Sequence, residues 1–151
     1  NANDTVGHTD NGADVAGFGR GFDFVHWIRG QEGGDPYTFD PIRIYQGYYA
    51  ASYFTFWRTH NAGYYQRVTG LPPGILVSFY AHAHGWSCDG DDPLGYTCGD
   101  PENLGFRVGI DPTGGTNPWS GSIVWSGEQN PYDNWAAFSI EAVAASDKVT
   151  V

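Results

Sequence analysis

Phe106-Arg107-Val108-Gly109-Ile110-Asp111-Pro112-Thr113-Gly114-Gly115-Thr116-Asn117-Pro118-Trp119 leads through Ile123-Val124-Trp125-Ser126 to Tyr132-Asp133-Asn134-Trp135, and this stretch decides the fold class. It holds two short apolar runs separated by turns rich in Gly, Pro and Asn. Tryptophans stand at the strand edges and in the loops. That arrangement predicts a β-sandwich whose loops carry rigid aromatic rings.

Working outward, strand-like runs recur along the chain: Phe22–Ile28, Phe39–Tyr45, Ser52–Trp57, Tyr64–Thr69, Ile75–Trp86, Leu104–Asp111, Ser122–Trp125, Trp135–Val143 and Lys148–Val151. Turn chemistry separates them at Gly33-Gly34-Asp35-Pro36, Leu71-Pro72-Pro73-Gly74 and Asp111-Pro112-Thr113-Gly114-Gly115. No segment keeps an apolar period of 3.6 residues over three turns. The chain therefore reads as all-β, a jelly-roll sandwich of about eight or nine short antiparallel strands. Residues 1–20 are polar and Gly-rich and read as an extended N-terminal arm. Residues 21–151 read as one domain, a size that buries a substantial core.

Alternation assigns the faces. Val77, Phe79, Ala81 and Ala83 share one side, opposite Tyr80, His82, His84 and Trp86. Leu104, Phe106, Val108 and Ile110 oppose Gly105, Arg107, Gly109 and Asp111. Ala136, Phe138, Ile140 and Ala142 oppose Trp135, Ala137, Ser139 and Glu141. The first set of each is the expected core and the second the expected outer face. An aromatic outer row is the anomaly.

Charge is one-sided: seven Lys plus Arg against seventeen Asp plus Glu, a net charge of −10. Polyanions are repelled by such a surface, which argues against nucleic acid and anionic membranes. No run approaches the ~18 apolar residues of a membrane span. There is no leading Met and no signal-peptide core, so the chain reads as a mature or trimmed product. Low charge with 17 % aromatic residues and 22 glycines is the composition of secreted β proteins. Cys88 and Cys98 flank a Gly/Pro/Asp-rich loop and read as a disulfide suited to an oxidising compartment. Two free thiols are the alternative.

Three runs carry a family resemblance: Tyr53-Phe54-Thr55-Phe56-Trp57-Arg58-Thr59-His60-Asn61-Ala62-Gly63-Tyr64-Tyr65-Gln66-Arg67-Val68, Phe79-Tyr80-Ala81-His82-Ala83-His84-Gly85-Trp86-Ser87, and Val108-Gly109-Ile110-Asp111-Pro112-Thr113-Gly114-Gly115-Thr116. Together they resemble a family of carbohydrate-binding-module-like, galactose-binding-like jelly rolls. Such domains occur in secreted and surface proteins of Chloroflexus-type bacteria. The resemblance covers about residues 37–151 and implies a jelly roll in an extracellular setting. Two departures stand out. A cysteine-bearing loop replaces an acidic, cysteine-free one, and the final strand and terminal Asn/Asp-rich segment that close such domains are lacking, so that either the last strand is cut short or an edge is left open.

Tyr80, His82, His84 and Trp86, joined by Arg107 and Asp111 on a neighbouring strand, read as a shallow sugar-binding groove. Aromatic rings stack on sugar C–H faces, and the polar groups bond hydroxyls. Trp57, Trp119 and Tyr132 are candidates for its rim. The alternative is that these rings are covered by the arm or by another subunit. His82 and His84 point the same way, with His60 or Asp111 as a conceivable third metal ligand. Asp89, Asp91, Asp92, Asp100 and Glu102 read either as solvated loop carboxylates or as a calcium site. Catalysis finds no support: there is no Gly-x-Ser-x-Gly elbow and no marked carboxylate pair. The expectation is a secreted, non-catalytic glycan-binding module on a cell surface. Its rival is a structural subunit of an extracellular filament or sheath, a homo-oligomer joined by arm or strand exchange.

Overall fold

A computed structural model describes the backbone of residues 4–10, 13–20, 25–30 and 49–54. It describes backbone and side chains of residues 45–46, 61–87, 97 and 104–151. Among the described residues there are ten strands and no helix: β1 Asp4–Asp10, β2 Ala13–Arg20, β3 Val25–Gly30, β4 Tyr49–Phe54, β5 Asn61–Thr69, β6 Leu76–His84, β7 Gly109–Ile110, β8 Val124–Trp125, β9 Trp135–Val143 and β10 Lys148–Thr150. All strand pairings are antiparallel, in the orders β1-β2-β5-β10, β3-β4, β6-β9 and β7-β8. The chain is all-β.

The core sits inside a bend of one long ribbon. β5 pairs with β10, and the two chains continue as β6 paired with β9. Between them the register slips. Val68 faces Val149, whereas Leu76 faces Val143, so the residue numbers of partners sum to 217 before the corner and 219 after it. Extra residues at a ribbon corner bend it, as a bulge does. Pro72-Pro73-Gly74 makes the outer turn. The Ile75 N–H donates to the Pro72 carbonyl at 3.3 Å and Gly74 has φ +88°, the geometry that wants Pro then Gly at the central positions. The corner is pinned by Leu71 N–H to Asp147 O at 3.0 Å and Gly74 N–H to Ala144 O at 2.7 Å.

Within the bend, Ile110, Ala142, Ala144 and Val149 form the buried cluster, with Leu71, Val77, Phe79, Ile140 and Val151 packed against it. Alternation in β6 and β9 is as the sequence predicts. Val77, Phe79 and Ala81 are half-buried while Ser78, Tyr80 and His82 are exposed, and Phe138 and Ala142 are buried while Ser139, Glu141 and Val143 are exposed.

Within residues 1–20, β1 pairs with β2, and β2 pairs with β5 from Val15–Gln66 to Arg20–Asn61. β10 pairs with β5 on one side, and Thr150 exchanges two hydrogen bonds with Asp111 on the other, at 2.7 and 3.0 Å. Val151 likewise exchanges both backbone bonds with Gln66. Of the remaining runs, residues 39–44 and the turn at residues 33–36 lie outside the described residues.

The Pro112–Gly115 turn docks on the corner through Ala145 N–H to Pro112 O at 2.9 Å and Ser146 Oγ–H to Thr113 O at 3.2 Å. Gly114 has φ +71°, and a Cβ there would run into Lys148 Cγ and lie 3.1 Å from the Lys148 carbonyl oxygen. Both the left-handed backbone and the lack of space require glycine. Gly114→Ala is therefore expected to lower unfolding free energy by about 1–2 kcal/mol, read from urea melts.

Candidate functional site

The outer face of β6–β9 is built by register. Leu76 faces Val143, Ser78 faces Glu141, Tyr80 faces Ser139, His82 faces Ala137 and His84 faces Trp135. Period-two alternation sends the apolar partners of these residues inward and leaves this row on the wet side. Tyr80 is 69 % exposed, and Ser78 Oγ–H donates to Glu141 Oε1 at 2.7 Å. The Tyr45 ring lies flat on the His82 ring, with centroids 3.7 Å apart and planes 14° apart. Tyr45 is tilted against Trp135 at 5.5 Å, and His84 meets Trp135 at 5.4 Å. The result is a clustered platform of Tyr45, His82, His84 and Trp135 with Tyr80 standing clear beside it. Tyr45 and Trp135 are the members that sequence reasoning did not assign to the site. Trp135 carried a signal, its place in the outward row of β9. Tyr45 carried none, because a stack between distant chain segments leaves no local pattern.

At the end of β6 the backbone continues through Gly85, whose N–H donates to Pro131 O at 3.1 Å while its carbonyl accepts from Asp133 N–H at 2.8 Å. Gly85 has no room for a side chain, as a Cβ would sit 2.8 Å from the Phe106 ring and 3.0 Å from Leu104. Asp133 takes φ +53°, a left-handed value uncommon for a residue other than glycine. Its Oδ1 accepts the Thr97 N–H at 2.7 Å, and the Tyr132 hydroxyl accepts the Leu104 N–H at 3.1 Å. Tyr132, expected on the groove rim, is thus a clamp on the chain entering β7. Trp86 is half-buried.

Among the described pairings, neither Arg107 nor Asp111 lies on a strand paired with β6. β6 pairs with β9, whereas the Arg107 stretch runs beside β8 and Asp111 bridges to Thr150. Asp111, expected on the outer face, is 2 % exposed. Its Oδ1 accepts the Thr113 N–H at 2.9 Å and the Thr113 hydroxyl at 2.7 Å, and its Oδ2 accepts the Ser122 hydroxyl at 3.0 Å. Burial alone pushes this carboxyl up, but the bonds from Thr113, Ser122 and the Gly115 backbone outweigh it and hold it below the ordinary aspartate value. Asp111 therefore organises its turn. Trp119 lies in the next turn, where its N–H donates to Asn117 Oδ1 at 3.1 Å, and Ser122 ties that turn to Asp111.

No family profile, curated protein or solved structure matches the chain. The site must accordingly be read from its own chemistry.

Trp57, His60, the five acidic residues Asp89, Asp91, Asp92, Asp100 and Glu102, and the Cys88–Cys98 pair lie outside the described residues. Among the described residues no three His, Cys, Asp or Glu side chains converge on a metal position. Nor is any helix there long and apolar enough to cross a membrane. What the β6–β9 platform offers is aromatic rings beside hydroxyl and carboxylate groups.

Proposed function

We propose that this protein is a non-catalytic glycan-binding module of jelly-roll type, acting outside the cell. The reading is carried by one observation: the outer row of β6–β9 keeps the Tyr80 ring in water beside Ser78, Ser139 and Glu141. Burying Tyr80 against a sugar C–H face removes apolar area from water, while the hydroxyl and carboxylate groups accept and donate to sugar hydroxyls. The Tyr45–His82 stack fixes two rings in advance, which reduces the ordering cost of binding. The acidic net charge disfavours polyanionic glycans, so the ligand is a neutral polysaccharide. Cys88 and Cys98 joined as a disulfide and calcium held in the acidic loop belong to this extracellular reading.

Tyr80→Ala is expected to weaken glycan binding about tenfold or more in isothermal titration. Its unfolding free energy should stay within about 0.5 kcal/mol of the parent, because the ring is largely exposed. Loss of both affinity and fold would show that Tyr80 is structural instead.

A structural-subunit role has one observation in its favour. Among the described residues β1 ends its sheet, pairing with β2 alone, and an edge strand is what a strand from a like subunit would extend. Deleting residues 1–20 would abolish assembly on that reading, and a monomer at high concentration, measured by ultracentrifugation, speaks against it.

A further inference from the structure

The β7–β8 end carries a second cluster that the Tyr80 platform does not use. Gly105, Arg107 and Gly109 fall on one face of the same run. Neither glycine fills its place, so side chains of the opposing run lie down on the backbone. A Cβ on Gly109 would meet the Trp125 ring at 2.6 and 2.8 Å, and a Cβ on Gly105 would meet the Glu128 carboxyl carbon at 2.6 Å. Glu128 is brought there by a bulge. Gly109 faces Trp125 and Ser126 N–H donates to Val108 O, but Phe106 faces Gln129, so one extra residue sits opposite Arg107. Arg107 therefore stands between an indole and a carboxylate.

It takes the indole. Its guanidinium carbon lies 4.2 Å from the Trp125 ring centroid, and among the described residues neither Arg107 nor Glu128 is in an ion pair. Stacking uses the flat face of the guanidinium and leaves its N–H groups, which lie in the plane, free to donate. Both Arg107 and Glu128 are exposed. Donors on Arg107 and acceptors on Glu128 suit adjacent hydroxyls, each of which can accept from Arg107 or donate to Glu128. The two charges cancel, so an acidic ligand gains at Arg107 what it loses at Glu128 and to the −10 charge of the chain.

We propose that Arg107 and Glu128, braced by Trp125 on the Gly105 and Gly109 floor, form a second contact point for a neutral glycan that binds a vicinal diol. This rests on the glycan-binding reading above and makes the module bivalent, so a polysaccharide reaching both points gains avidity.

The test is an NMR titration of the full chain with galactose, glucose, mannose and galacturonate, following the Arg107 Nε–H, the Trp125 indole N–H and the ring protons of Tyr80. At least one neutral sugar should shift Arg107 and Trp125 saturably. Arg107→Ala and Glu128→Ala should each weaken that response about tenfold. Glu128→Gln, which keeps an acceptor oxygen, should weaken it less, and Tyr80→Ala should leave it intact. Shifts confined to Tyr80 would overturn the second contact and keep the first. Shifts confined to Arg107 and Trp125 would do the reverse, and galacturonate binding more tightly than galactose would overturn the neutral-diol assignment. No shift with any sugar overturns both.

Discussion

Asp111→Ala is expected to destabilise the protein by about 3 kcal/mol at neutral pH, measured as a lower urea midpoint with an unchanged slope. The carboxylate is 2 % exposed and accepts from the Thr113 backbone, the Thr113 hydroxyl and the Ser122 hydroxyl. Removing it leaves those donors without their acceptor and cuts the link between the Pro112–Gly115 turn and the Ser120–Ser122 turn. Against a typical domain stability of about 5–15 kcal/mol, that is a large fraction. Asp111→Asn keeps one acceptor oxygen and loses the charge, so it should cost less. The effect depends on pH with a definite sign. Because the folded carboxyl titrates below its unfolded value, its contribution is fully present above the ordinary aspartate value and is lost as pH falls through the folded value. The gap between the parent and Asp111→Asn should therefore narrow in acid. A gap that stays constant from neutral to acid pH would show that the charge of Asp111 contributes nothing.

Ile110→Ala should cost a similar amount, about 3–4 kcal/mol, through a different mechanism. Ile110 is fully buried and belongs to the cluster of Ala142, Ala144 and Val149. Its neighbours there are mostly small, and the corner hydrogen bonds at Leu71 and Gly74 hold the surrounding backbone in place. The site therefore has little means to collapse into the cavity. Ile110→Val, which removes one methylene, should cost only about 1 kcal/mol. Thermal unfolding of the three proteins side by side checks the ratio. Equal losses for valine and alanine would place strain, rather than lost burial, at this position. Neighbouring residues of one motif thus stabilise the fold in opposite ways, Ile110 by apolar burial and Asp111 by satisfied hydrogen bonds.

That contrast marks how far the sequence could be read. Alternation placed Val77, Phe79, Phe138 and Ala142 inward and Tyr80, His82 and Glu141 outward, because period two follows directly from strand geometry. The same rule failed at Asp111. Four donors, the Thr113 N–H and hydroxyl, the Ser122 hydroxyl and the Gly115 backbone, assemble around that carboxylate only once the chain turns at Pro112, and alternation carries no information about such a turn. Pro72-Pro73-Gly74 was legible as a turn, since its residue types dictate the dihedral angles. The corner it makes was not legible, because the two-residue slip between β5–β10 and β6–β9 is a property of four strands together. Partner identity was hidden for the same reason. Arg107 was read together with the Tyr80 row, and its stacking on Trp125 is a contact that no local pattern announces. The β1–β2 pair was missed because a Gly-rich polar run has little β-propensity, and its pairing with β5 is a non-local choice.

The proposed glycan contact on the outer face of β6–β9 stands or falls on carbohydrate binding through Tyr80. A glycan array of neutral and acidic polysaccharides, probed in parallel with the parent protein and with Tyr80→Ala, tests it most directly. Binding to at least one neutral polysaccharide is expected, absent or at least about tenfold weaker in the variant. Silence across the array, or equal binding by the two proteins, would contradict it.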